Sequence, residues 1–170
     1  MAARFAYAQE LNPRAYAVAP VGGNVVFASY SHSFGDLVFE PSFPAKDTNA
    51  NLNFGVIGYY RSFNFFGRFA NITGVLPYAH GHLQGTINGN QTRIYRSGPG
   101  DMSIHFALNL KGAPPMSIRE FMKFRPKTLI GTSILIHAPT GQYDSTKAIN
   151  IGTNRWSFKP ELGVARYFGR

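Results

Sequence analysis

A chain of 170 residues with a mean hydropathy of -0.14 holds one domain and leaves little room for two. Charged residues make up only 15% of it, against about 25% in an ordinary soluble domain, while 17 lysines and arginines against 8 acids leave a formal charge of +9. Aromatic residues at 15% exclude a disordered chain, recurrent Gly and Pro exclude a heptad-repeat helix, the lack of cysteine removes thiolate and disulfide chemistry, and cations scattered singly argue against nucleic acid as a partner.

In chain order, the first eight residues lack an apolar stretch of signal-peptide length, although Ala6-Tyr7-Ala8 has the small-x-small look of a clipped leader. Period-two alternation then dominates and predicts six strands. Residues 25–33 alternate softly. Residues 52–60 set Leu52, Phe54, Val56 and Tyr60 against Asn53, Gly55, Ile57 and Tyr59. Residues 70–83 alternate softly within an uncharged segment, 69–92, to which Pro77 and several glycines deny a membrane helix. Residues 102–110 give the clearest pattern, with Met102, Ile104, Phe106, Leu108 and Leu110 opposite Ser103, His105, Ala107 and Asn109. Ser117 and Glu120 then stand at capping-box spacing after two prolines, predicting one or two helical turns over residues 117–124. Residues 128–136 gather Ile130, Ile134 and Ile136 opposite Leu129, Gly131, Ser133 and Leu135. Residues 156–164 put Trp156, Phe158, Pro160, Leu162 and Val164 opposite Ser157, Lys159, Glu161 and Gly163.

The connections alternate in length. Residues 35–51, 86–100 and 140–155 are long and polar or Gly/Asn-rich, whereas Phe63-Asn64-Phe65-Phe66-Gly67 is a short aromatic turn. Long loops thus collect at one end, which predicts an all-β, antiparallel up-and-down meander. Phe66-Gly67-Arg68 recurs as Phe168-Gly169-Arg170, so the chain is expected to stop where a seventh strand would start. Strands of about ten residues suit an oblique bilayer crossing better than a soluble sandwich, whose strands run about 5–6. Trp156, Tyr59, Tyr60, Phe63, Phe65, Phe66, Tyr78, Tyr143, Tyr167 and Phe168 fall near strand ends, where aromatic girdles belong. The reading is a transmembrane β-barrel with apolar side chains on lipid and polar ones inside. A soluble or periplasmic barrel binding an apolar ligand is the alternative, and it requires the reverse polarity.

Few residues offer chemistry. His80-Gly81-His82 places two imidazoles on one strand face without a visible third ligand, so no metal is expected. Ser97-Gly98-Pro99-Gly100-Asp101 lacks the lysine and following helix of a phosphate loop and reads as a turn into a strand. Eight scattered carboxylates and no nucleophile–base pair point away from an enzyme, and no cofactor is expected. The inward faces supply the candidate lining of a solute path: His105 and Asn109 on the fourth predicted strand, and Arg155, Lys159 and Glu161 as a charged ladder at one end of the sixth.

Five stretches carry a resemblance: Glu10-Leu11-Asn12-Pro13-Arg14-Ala15-Tyr16, Pro20-Val21-Gly22, Gly98-Pro99-Gly100-Asp101, Pro139-Thr140-Gly141-Gln142-Tyr143-Asp144, and Asn150-Ile151-Gly152-Thr153-Asn154-Arg155-Trp156-Ser157-Phe158-Lys159-Pro160-Glu161. Together they resemble the outer-membrane transporters of the meta-pathway of phenol degradation in Gram-negative bacteria, across nearly the whole chain. The resemblance implies a barrel in the cell outer membrane that takes up small apolar or aromatic compounds. Members of that family are longer, with a signal peptide and more strands. The expectation is therefore a single barrel domain over residues 1–170, the N-terminal part of a longer barrel, with outer-membrane lipid and a small apolar solute as partners.

Overall fold

The computed structural model describes residues 17–36, 45–87, 90–147 and 149–167. The leader-like residues, the stretch from Glu10 to Tyr16 and the repeated Phe168-Gly169-Arg170 lie outside them.

One antiparallel sheet contains β1 (Asn24–Asp36), β2 (Ala45–Phe65), β3 (Arg68–Ile87), β4 (Asn90–Pro99), β5 (Ser103–Lys111), β6 (Thr128–His137) and β7 (Ser157–Arg166), with one helix, α1 (Ile118–Lys123), between β5 and β6. The order is β1-β2-β3-β5-β6-β7, and β4 also pairs with β3. β4 covers Tyr78 to Ile87 and β5 covers Ala70 to Val75, so they are one pass down the same neighbour, interrupted between Pro99 and Ser103. Seven strands therefore make six passes of an up-and-down meander. The connection expected over residues 86–100 is instead mostly the β3–β4 hairpin. Thr92, Ile94 and Tyr95 there suit a pleated surface, a preference hidden in the sequence by the Gly and Asn around them.

Local choices agree with the sheet. Phe66 and Gly67 turn β2 into β3 with φ of 49° and 77°, and the Gly67 amide donates to Asn64 Oδ1 at 2.8 Å. The capping box forms as expected, with Ser117 as N-cap of α1, the Ser117 amide donating to Glu120 Oε2 at 2.7 Å and Phe124 as C-cap. Ser117→Ala is expected to remove about 1 kcal/mol from this connection, read as earlier proteolysis near α1.

The register sorts side chains onto two faces. Ile72 pairs with Phe106, Phe106 with Ile134 and Ile134 with Pro160, so these share one face with Ile57, Leu76, Phe158, Leu162 and Val164. That face is exposed: Leu162 is 75% accessible and Phe158 60%. The opposite face is sheltered and carries Asn71, Thr73, His105, Asn109, Ser133, Lys159 and Glu161. Asn109 and Ser133 are buried. In β6 the burial alternates through Leu129, Gly131 and Ser133. A soluble barrel has these polarities reversed.

β2 departs from simple alternation. Leu52, Phe54, Val56 and Tyr60 lie on the sheltered face, because Ile57 and Tyr59 pair with Leu76 and Gly74 on the exposed one. The neighbours β1 and β3 fix that register, and β2 supplies apolar residues to both sides. Gly58 faces Phe27 across the β1–β2 pair, and a Cβ there would meet the ring at 2.1 Å. The ring covers the bare backbone, an aromatic filling the space a glycine leaves.

Candidate functional site: the sheltered face of the sheet

Pairing register stacks the polar groups of the sheltered face in two rungs across the sheet. One runs Tyr60, Thr73, His105, Leu135, Lys159; the next runs Ser62, Asn71, Ala107, Ser133, Glu161. Lys159 and Glu161, two residues apart on β7, form an ion pair at 3.0 Å. Ser133 Oγ donates to Glu161 Oε2 at 3.4 Å. Both ions keep partial water access, so the pair costs little desolvation and contributes no more than about 1 kcal/mol. His105 Nε2 is shut away from solvent without a hydrogen-bond partner.

The sequence candidates separate into three groups. His105, Lys159 and Glu161 come together on adjacent rungs. Asn109 lies on the same face but lower, where its amide donates to the carbonyls of Lys111 and Ile130 at 2.9 and 3.1 Å, and it is nearly inaccessible at 3%. It bridges a bulge between Asn109 and Lys111. Arg155 stands exposed in the connection before β7, outside the ladder expected for it. Glu161 takes Lys159 as its cation because alternation puts them on one side, whereas Arg155 precedes the paired strand.

His80 and His82 are on the exposed face of β3, as is Asn53, which pairs with His80 and accepts from Tyr30 at 2.5 Å and lies 2.9 Å from His32 Nδ1. Among the described residues no three His, Asp or Glu side chains converge on a metal position.

Two features of this face were not legible as such in the sequence. At the short-turn end, Phe69, Leu129 and Ala113 form a small buried core against Val18, Ala19, Val21 and Ala165. The segment before β1 is pinned there by Ser62, whose hydroxyl donates to the Pro20 carbonyl at 2.6 Å and accepts from the Gly23 amide at 3.0 Å. The Val21 amide also donates to the Met116 carbonyl at 2.8 Å. A serine inside an aromatic run was the available signal. At the long-loop end, Asp101 gathers the β6–β7 connection. Its Oδ1 accepts from the Gly141 amide at 2.9 Å, and its Oδ2 from the amide and hydroxyl of Thr153, each at 2.7 Å.

Partial burial works against the charge on Asp101, but the Thr153 and Gly141 donors, with His137 nearby, hold its carboxyl below the usual range. Asp144 is lower still, at about 2, through the hydroxyl and amide of Thr146 and the Lys147 ammonium. Depressed folded values mean these carboxylates stabilise the loop fully above an unfolded pKa of 3.8, and the contribution disappears as pH falls through the folded values. Loop protection against proteolysis is therefore expected to stay flat from pH 8 to pH 5 and to fall below about pH 4.

The sequence profile described as "Putative MetA-pathway of phenol degradation" matches residues 22–170. The chain belongs to this family. No curated protein matches it. Among solved structures it is similar to the COG4313 outer membrane channel from Pseudomonas putida F1, with a TM-score of 0.58 and 19% identity over 94% of this chain. The chain spans 55% of the length of that channel. This member of the phenol-degradation family thus shares the fold of part of that channel, a single antiparallel meander that does not close on itself among the described residues. No described helix is long and apolar enough to cross a membrane.

Proposed function

We propose that the protein is an outer-membrane channel for the passive uptake of small apolar or aromatic compounds. One observation carries the reading: the sheet exposes its apolar side chains and shelters its polar ones, including an ion pair. Hydrocarbon accepts Leu162, Val164, Phe158 and Ile57; only a wet interior accepts Lys159 and Glu161. The sheltered face of β2 and β3 adds Phe54, Val56, Val75 and Pro77 above the polar rungs, a wall suited to an apolar solute. The long connections then face the cell exterior and the short ones the periplasm. His105, Lys159 and Glu161 line the path, Asn109 braces its floor, and Arg155 stands at its mouth. No covalent step is part of this reading.

Outer-membrane lipid covers the exposed face. Among the described residues, β1 and β7 each keep one unpaired edge, and each backbone group left open in hydrocarbon costs several kcal/mol. The chain in this reading is the N-terminal part of a longer barrel. Residues 1–170 expressed alone are then expected not to give a heat-modifiable, protease-resistant monomer in detergent.

Lys159→Glu tests the path. Placing two acids on adjacent rungs is expected to shift the zero-current potential in a salt gradient toward cations, measured in a planar bilayer with the protein as expressed from its gene. An unchanged potential removes the sheltered face from the solute route.

A further inference from the structure

The β6–β7 connection carries two of the stretches that mark the family, and its position on the sheet assigns it a task. Gly98 and Arg96 of β4 pair with Ala79 and Gly81, so they point to the sheltered side. A Cβ on Gly98 would overlap the Gln142 side chain at 2.1 Å. Arg96 Nε donates to the Ile149 carbonyl at 2.8 Å. Gln142 and Ile149, one from each limb of the connection, therefore lie against the inner surface of β4.

The interruption between β4 and β5 is what lets them in. The Gln142 amide donates to the Pro99 carbonyl at 2.8 Å and the Ala138 amide to the Met102 carbonyl at 2.9 Å, while the Met102 amide donates to Thr140 Oγ1 at 2.9 Å. Asp101, in the gap, ties the two limbs together through Gly141 and Thr153. The limbs touch at Gly141 and Gly152, where a Cβ on either would come within 2.7 Å of the other's backbone. Only two glycines allow that closeness.

We infer that this connection is an inward-folded strap that narrows the solute path at its long-loop end, and that Asp101 is the positioning residue that sets its width. The inference rests on the sheltered face being the path. Tyr143, exposed beside the seated Gln142, is the side chain the strap carries at that end. Specificity by size is thus set by a brace whose carboxylate touches no solute.

The experiment uses the protein as expressed from its gene, in planar bilayers and swelling liposomes. Asp101→Ala is expected to raise single-channel conductance severalfold and admit larger sugars, with heat-modifiability retained. The sequence contains no cysteine, so G98C/Q142C added to Asp101→Ala supplies a single disulfide, across Cβ positions 3.1 Å apart that open by a few tenths of an ångström to reach the usual span of about 3.5–4.5 Å. Oxidation is expected to restore the narrow conductance and reduction to release it. Wild-type conductance and size limit in a folded Asp101→Ala variant overturn the strap, as does a wide conductance that oxidation leaves unchanged. Should Asp101→Ala not fold, Arg96→Ala is read against the same two outcomes. If Lys159→Glu moves the zero-current potential while Asp101→Ala changes nothing, the strap alone fails; if neither variant has an effect, the path itself fails.

Discussion

Replacing Leu162 by arginine is expected to destabilise the folded barrel by about 2–4 kcal/mol, the cost of a cation on the lipid face near the bilayer midplane. Leu162 lies midway between Trp156 and Tyr167, two aromatics at the ends of β7, and it is 75% accessible. In water so exposed a leucine is replaced by a charge for no more than about 0.5 kcal/mol. The single substitution therefore separates hydrocarbon from solvent as the medium around the sheet. Urea titration of the refolded protein in lipid vesicles measures it, and a near-zero change would move the exposed face into water. Gly163→Ser, one residue on and facing inward, is expected to cost far less, so the pair controls for damage to the strand itself.

Truncating Phe69 to alanine should cost about 3–5 kcal/mol, the range for removing a buried aromatic ring. Phe69 is 2% accessible and packs with Leu129, at 1%, and Ala113, under the segment that runs from Val18 to Val21. The cavity opens at the base of the sheltered face, where Ser62 pins the chain before β1. Beyond lost stability, the variant is expected to free that segment, seen as new protease cleavage ahead of Gly22. Stability kept within about 1 kcal/mol would mean that these contacts do not hold the base.

Much of the architecture was legible because period two is a strong signal where one face of a sheet is apolar and the other polar. Residues 102–110, 128–136 and 156–164 contain such alternation, and β5, β6 and β7 match them within a residue or two. The α1 capping box was equally readable, since Ser117 and Glu120 carry it locally. β4 was not, because the Gly and Asn around it read as loop, although it is the hairpin neighbour of β3, paired from Ile87 and Asn90 onward. The sidedness of β2 failed for a related reason: Leu52, Phe54 and Val56 look like a lipid face by themselves, and only the register with Ile72 and Phe106 turns them inward. Of the site, Lys159 and Glu161 followed from spacing on one strand. Arg155 was placed with them by proximity in sequence, and the chain bends before β7 begins. The clasp at Asp101 joins residues some fifty positions apart, a closure that no local pattern announces.

With the proposed topology, the hairpin of β3 and β4 reaches beyond the membrane on the outer side. A crossing uses about 9–11 residues of a strand, and β3 has 20. At roughly 3.3 Å per residue its second half is about 30 Å long, which at a tilt of about 45° reaches about 20 Å beyond the hydrocarbon, stiffened by ten paired positions along β4. Arg93 and Tyr95 stand on its flank. A peptide tag carried at this hairpin is expected to be accessible on intact cells.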